Sequence, residues 1–245
     1  MAGGVLSTVV CGVIGAVLGG LLGRPVYRLA VPAGAPIRTA CDGCAAPAGW
    51  VAAGNCVGCG RQLGPPWWGL GITAGIASAG IGWRFGWAPE LAPYLVLALL
   101  GVLLAAIDLA VMRLPDGLVI PGFAVGTLVF TGLAAAESEW WPWTRAALAA
   151  GVLAGTYVIL ALLPGAGLGY GDVKLAGLLG WFLGWLGWSE VLLGLALPFV
   201  LQGVVVIGLL SLRRVTRKTM LPFGPAMLAG AWLSVVTAPV SGQLW

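Results

Sequence analysis

No histidine occurs among the 245 residues of this chain. That excludes a histidine general base, Ser-His-Asp and Cys-His catalysis, and histidine metal ligation. Charge is nearly as scarce. Charged residues make up 8% of the chain and hydrophobic residues 60%, whereas a soluble domain carries about a quarter charged residues. An ordinary soluble fold is therefore excluded, and the chain reads as an integral membrane protein. The N-terminus, Met1-Ala2-Gly3-Gly4, lacks a basic n-region, and the first apolar run continues to Gly23. That run is long enough to span and is expected to stay rather than be cleaved. There is no glycine-rich phosphate or nucleotide loop. The net charge of +4 does not point to nucleic acid, because the basic residues are dispersed; their distribution reads as membrane topology.

What is present is a series of apolar runs, at 4–23, 67–86, 91–112, 117–136, 144–163, 173–188, 190–212 and 224–243. Each approaches the roughly 20 residues that a spanning helix needs, the sixth being short. The runs are continuous, not alternating, so they predict helices and not a membrane barrel. The expected fold is an all-α polytopic membrane protein of about eight transmembrane helices. With the N-terminus outside, Arg24, Arg28, Arg38, Arg61, Arg113, Lys174, Arg213, Arg214, Arg217 and Lys218 fall on the cytoplasmic side, and only Arg84 and Arg145 outside. This is the positive-inside pattern. Glu90, Glu137, Glu139 and Glu190 then fall outside, and all four aspartates fall on or near the cytoplasmic side. Trp83, Trp87, Trp140, Trp141, Trp143, Trp185 and Trp188 gather at the external ends, as an interfacial aromatic belt does. Spacings such as Gly15/Gly19/Gly23 and Gly180/Gly184 predict close helix packing.

Two aspartates stand out against this background. Asp108 follows the uncharged run 91–107, five residues before Arg113; at 1.5 Å per residue it lies about 7–8 Å below the cytoplasmic end of its helix. Asp172 opens the sixth run on the same side. A carboxylate at membrane depth is costly unless it is paired or wetted. Two that meet form a coupled acid/base pair, in which one takes a proton from water while the other protonates a substrate carbonyl. Asp172, near a helix N-terminus, is favoured as the anion; Asp108, in a less polar setting, tends to hold the proton. The plainer readings are an N-cap for Asp172 and an ion pair with Arg113 for Asp108. Asp116 follows Pro115 and reads mainly as a cap, with a site role as the alternative.

Between the first two runs, residues 24–66 hold four of the five cysteines. Cys41-x2-Cys44 and Cys56-x2-Cys59 form two pairs separated by eleven residues. Each pair can grip one metal through a tight turn, which suits tetrahedral zinc. A reducing cytoplasmic loop disfavours disulfides; free thiols are the plainer alternative. Cys11 lies inside the first run as a small packing residue. The expected organisation is a first transmembrane helix at 1–23, a cytoplasmic tetracysteine loop at 24–66 and a seven-helix core at 67–245.

Ile107-Asp108, followed at a short distance by Pro115-Asp116-Gly117-Leu118-Val119-Ile120-Pro121, resembles the first aspartate motif of the type IV prepilin peptidases. Gly169-Tyr170-Gly171-Asp172-Val173-Lys174-Leu175 resembles their second, the Gly-x-Gly-Asp signature of this class of intramembrane aspartic proteases. Pro222-Phe223-Gly224-Pro225 is similar to a further family element, and the family has a tetracysteine element in the same loop. The resemblance implies an endopeptidase of the bacterial cytoplasmic membrane that cuts the leader from a prepilin or pseudopilin at the cytoplasmic face. It implies Asp108 and Asp172 as the catalytic pair, with Gly169, Gly171, Lys174 and Asp116 shaping the site. Many members also methylate the new N-terminus with S-adenosylmethionine. After its second cysteine pair the family usually has Arg-Tyr-Pro and a glutamate, where this chain reads Leu63-Gly64-Pro65-Pro66-Trp67-Trp68; Gly23-Arg24-Pro25-Val26-Tyr27-Arg28-Leu29 lacks the family's asparagine. These departures bear on methyl transfer and leave proteolysis intact. The alternative from a different class is a proton-coupled carrier that uses intramembrane aspartates, which would call for inverted repeats and broken helices.

Overall fold

The computed structural model describes residues 2–32, 34–50, 54–163, 168–216 and 219–238. Arg217, Lys218 and the end of the last apolar run lie outside them. Among the described residues there are nine helices and no strand, only the isolated bridges Ala40–Pro47 and Asn55–Gln62. Within the described residues each of the eight apolar runs forms a helix. The helices are α1 (Ala2–Gly20), α2 (Gly23–Leu29), α3 (Trp67–Phe85), α4 (Leu91–Val111), α5 (Asp116–Glu137), α6 (Trp141–Leu162), α7 (Tyr170–Leu186), α8 (Trp188–Ser211) and α9 (Gly224–Thr237).

Four of these, α4, α5, α6 and α8, are long and apolar enough to cross a membrane, or five if α1 and α2, which meet at a 47° bend, count as one span. Four or five of the eight expected spans are thus met by length and composition. The physical reason is local. α7 has 17 residues and opens on polar groups, Asp172 and Lys174; α9 has 14; α3 is diluted by glycine, serine and Arg84.

The chain divides into two compact units, Met1–Pro115 and Asp116–Trp245. In the first, α1 lies antiparallel on α3 with almost nothing between the backbones. A Cβ added at Gly15 would meet Ser78, one at Gly19 would meet Ala74, and one at Gly82 would come within 2.7 Å of the Ser7 carbonyl oxygen. Ser7 Oγ donates to the Gly82 carbonyl at 2.9 Å and ties the far end. α4 packs on α3. In the second unit α6 and α7 pack by the same device: a Cβ at Gly180 would stand 2.7 Å from the Ala149 carbonyl oxygen, and one at Gly184 2.8 Å from the Ala146 Cα. Arg145 crosses from α6 to donate to the carbonyls of Gly184, Trp185 and Leu186, the last turn of α7, where a cation also suits the helix dipole. Trp185 does not join the expected aromatic belt. It is buried and stacked on Phe130, ring centroids 4.4 Å apart. Glu190 is also buried, in the first turn of α8, accepting from Ser189 Oγ at 2.9 Å.

Candidate active site and metal centre

The four cysteines converge. The Sγ atoms of Cys41, Cys44, Cys56 and Cys59 all lie within 4.8 Å of one another, with Cys41–Cys59 at 3.8 Å and Cys44–Cys56 at 3.5 Å. Four sulfurs around a zinc, each at about 2.3 Å, stand about 3.8 Å apart, so the donor set fits that ion. The two pairs are built alike. In the first, the Cys41 N–H donates to Ala46 O and the Ala45 N–H to Cys41 O; in the second, the Cys56 N–H donates to Arg61 O and the Gly60 N–H to Cys56 O. The residue after the second cysteine of each pair is left-handed, Ala45 at φ 57° and Gly60 at φ 70°. The protonation chemistry fits as well. Backbone N–H groups of Cys59 and Gly58 draw the Cys56 thiol down to about 6. Cys44, although the Ala46 N–H favours its thiolate, is pushed up to about 12 by the thiols of Cys56 and Cys59. A cation among them would favour the thiolate form of all four, because metal binding releases the ligands' protons.

Sequence reasoning missed what holds this module. α2 does so, through arginines read before only as topology signals. Arg24 donates to Asn55 O at 2.8 Å. Arg28 donates to Ala48 O and lies 4.0 Å over the Trp50 ring. Arg38 donates to Tyr27 O and Ala30 O. Cys41, Ala48, Cys56 and Leu63 form a small core against Tyr27 and Ala46. The signal was available: Arg24 and Arg28 are one helical turn apart, next to a loop rich in free carbonyls.

Asp108 sits in the first unit and is 5% exposed. It is nearer its helix end than expected. Met112 takes the left-handed conformation (φ 50°) and stops α4 at Val111, its N–H donating to Asp108 O at 2.7 Å. Asp108 therefore lies about 4.5 Å, not 7–8 Å, below that end. Arg113 Nη1 donates to Pro32 O at 3.0 Å.

The second unit holds the other five expected residues. Asp172, 9% exposed, lies in the first turn of α7, where its Oδ2 accepts the N–H of the N-cap residue Gly169 at 3.0 Å. The Asp172 N–H in turn donates to Gly169 O at 3.0 Å. A Cβ added at position 169 would lie 3.8 Å from that Oδ2, an ordinary contact, so the glycine there is not required to make room for one. Asp116, expected mainly as a cap, is the first residue of α5, and Lys174 Nζ donates to both its carboxylate oxygens at 2.7 Å. Gly171 lies in the same first turn. Pro222-Phe223-Gly224-Pro225 runs into α9, where Phe223 packs 5.2 Å from Phe199 and 6.2 Å from Tyr157.

Residues 95–213 match the model of the Type IV leader peptidase family. The chain is 30% identical over 226 residues to a "Prepilin leader peptidase/N-methyltransferase" of Aeromonas hydrophila, covering 87% of this chain and 74% of that relative. It is 32% identical over 189 residues to the protein of that name from Pseudomonas putida, and 28% identical over 191 residues to that of Stutzerimonas stutzeri. These two matches cover 75% and 76% of this chain but only 62% and 64% of the relatives' length. No solved structure matches the chain.

Proposed function

Because this chain belongs to the type IV leader peptidase family, we propose that it is an aspartic endopeptidase of the bacterial cytoplasmic membrane that removes the leader from a prepilin or pseudopilin at the cytoplasmic face. The observation that carries this reading is the burial of Asp108 and Asp172, each near the end of its helix, in a chain without histidine. In the proposed reaction the ionised Asp172 takes a proton from water as that water attacks the scissile carbonyl. Protonated Asp108 gives its proton to the carbonyl oxygen, and the tetrahedral intermediate collapses with a proton passing to the leaving amine. The substrate's apolar helix docks among the eight helical runs, which we take as eight spans with the N-terminus outside. Gly169, Gly171, Lys174 and Asp116 shape the mouth of the site. Because Lys174 already pairs with Asp116, a basic leader would have to compete with that lysine.

Zinc, held by Cys41, Cys44, Cys56 and Cys59, supplies structure to the loop and no chemistry to the cut. The relatives' names include N-methyltransferase. For this chain, peptide cleavage is the activity proposed; S-adenosylmethionine enters only if methyl transfer accompanies it, and the residues after Gln62 depart from the family there. Nothing in the fold or these relatives favours the carrier alternative.

Co-expression with a prepilin, read by intact mass, tests all of this at once: it reports the cut, its position and any added methyl group. Asp108→Ala and Asp172→Ala should each abolish cleavage in a protein that stays folded. Near-normal cleavage by either variant ends the two-carboxylate reading.

A further inference from the structure

Tyr157 is 1% exposed, and its hydroxyl has no hydrogen-bond partner among the described residues. A buried phenol left in that state costs free energy on the order of a lost hydrogen bond, since water satisfied it in the unfolded chain. Such an orphan in a native structure calls for an explanation.

Its position supplies one. Tyr157 closes the buried face of α6, which runs Ala146, Ala149, Ala150, Leu153, Tyr157. This face packs antiparallel on α7. Gly184 meets Ala146, Gly180 meets Ala149 and Ala150, and Gly177 meets Ala154. Carried one turn further, the register brings Tyr157 level with the first turn of α7, where Asp172 lies. The ring is held from the other side by Phe199 at 6.0 Å and by Phe223 at 6.2 Å. Phe223 belongs to Pro222-Phe223-Gly224-Pro225, a motif that the proposed reaction leaves without a role.

We infer that Tyr157 is a positioning residue for Asp172. With substrate bound, its hydroxyl, unpartnered at rest, donates to the Asp172 carboxylate oxygen opposite the one held by Gly169 and turns that carboxylate toward the attacking water. Phe199 and Phe223 fix the phenol's direction. The inference rests on the peptidase reading above and adds a residue to it.

The test is Tyr157→Phe, which keeps the ring and its packing and deletes one oxygen. Steady-state cleavage of a prepilin in detergent should show kcat lowered roughly 10- to 100-fold, the range for a hydrogen bond to a charged group, with KM unchanged and the thermal midpoint not lowered. A purely structural tyrosine would not move kcat in this variant, because its packing survives. Wild-type kcat in Tyr157→Phe overturns the inference and leaves the peptidase reading standing, provided wild type cleaves and Asp172→Ala does not. Raised KM with unchanged kcat also overturns it, since the hydroxyl would then serve substrate docking. A wild-type protein that does not cleave overturns both.

Discussion

Asp172 combines two roles that are usually separate. One carboxylate oxygen closes the first turn of α7 on the Gly169 N–H, and the charge itself is what the proposed reaction uses. The two are separable by substitution. Asparagine accepts the same N–H about as well as aspartate does, so Asp172→Asn should change the thermal midpoint little while lowering the cleavage rate by about 100- to 10,000-fold, the range for a lost general base. Lys174 and Asp116 form the opposite case. Their ion pair is half exposed, and such pairs contribute about 1 kcal/mol or less. A double-mutant cycle with Lys174→Ala and Asp116→Ala, followed by denaturation, should return a coupling within that limit. Ala45 is a third case. It is left-handed where the equivalent residue of the second cysteine pair is Gly60. Ala45→Gly relieves a left-handed strain of about 1–2 kcal/mol, partly offset by the greater freedom of the unfolded chain. The variant should hold its metal against a chelator at least as long as wild type. The aspartates and cysteines were legible because their residue types are costly or rare in an apolar chain. Tyr157 was not, since a tyrosine within an apolar run reads as packing until its unpaired hydroxyl is located.

Glycine spacing, at the scale of the element, announced close packing without saying against what. Gly180 and Gly184 turn out to admit α6 backbone, and Gly15 and Gly19 to admit α3. Only small residues allow this approach, and in lipid it is dispersion at short range that holds helices together. Gly184→Leu should therefore lower the thermal midpoint in detergent, since even its Cβ would meet Ala146 Cα at 2.8 Å. The cost expected for such overpacking is about 1–3 kcal/mol. Gly151→Leu on α6, where a Cβ meets nothing within 4 Å, should leave the midpoint unchanged. Helix boundaries were less legible than helix existence. α1 bends into α2 by 47° instead of ending at the loop, and α4 stops at Val111 because Met112 leaves the helical region. A continuous apolar run contains no signal for either event.

For the molecule as a whole, the tetracysteine module offers the widest test. Purified protein should carry one zinc per chain by elemental analysis. Cys44→Ser together with Cys59→Ser should remove it and lower the thermal midpoint, since zinc binding to such a site is folding free energy. Cleavage should fall far less than in the aspartate variants if the metal is structural. Residue chemistry alone determined that this chain is helical, apolar and without histidine catalysis, and it marked the carboxylates out of place in lipid and the thiols paired by spacing; those follow from composition, spacing and the energetics of burial, which each segment carries by itself. The tertiary structure decided which groups became neighbours: Lys174 with Asp116, Arg24 and Arg28 with the cysteine loop, Tyr157 level with Asp172. Neighbourhood depends on the register of one helix against another, and that register is set by backbone contacts between segments far apart in the chain, where no local pattern records it.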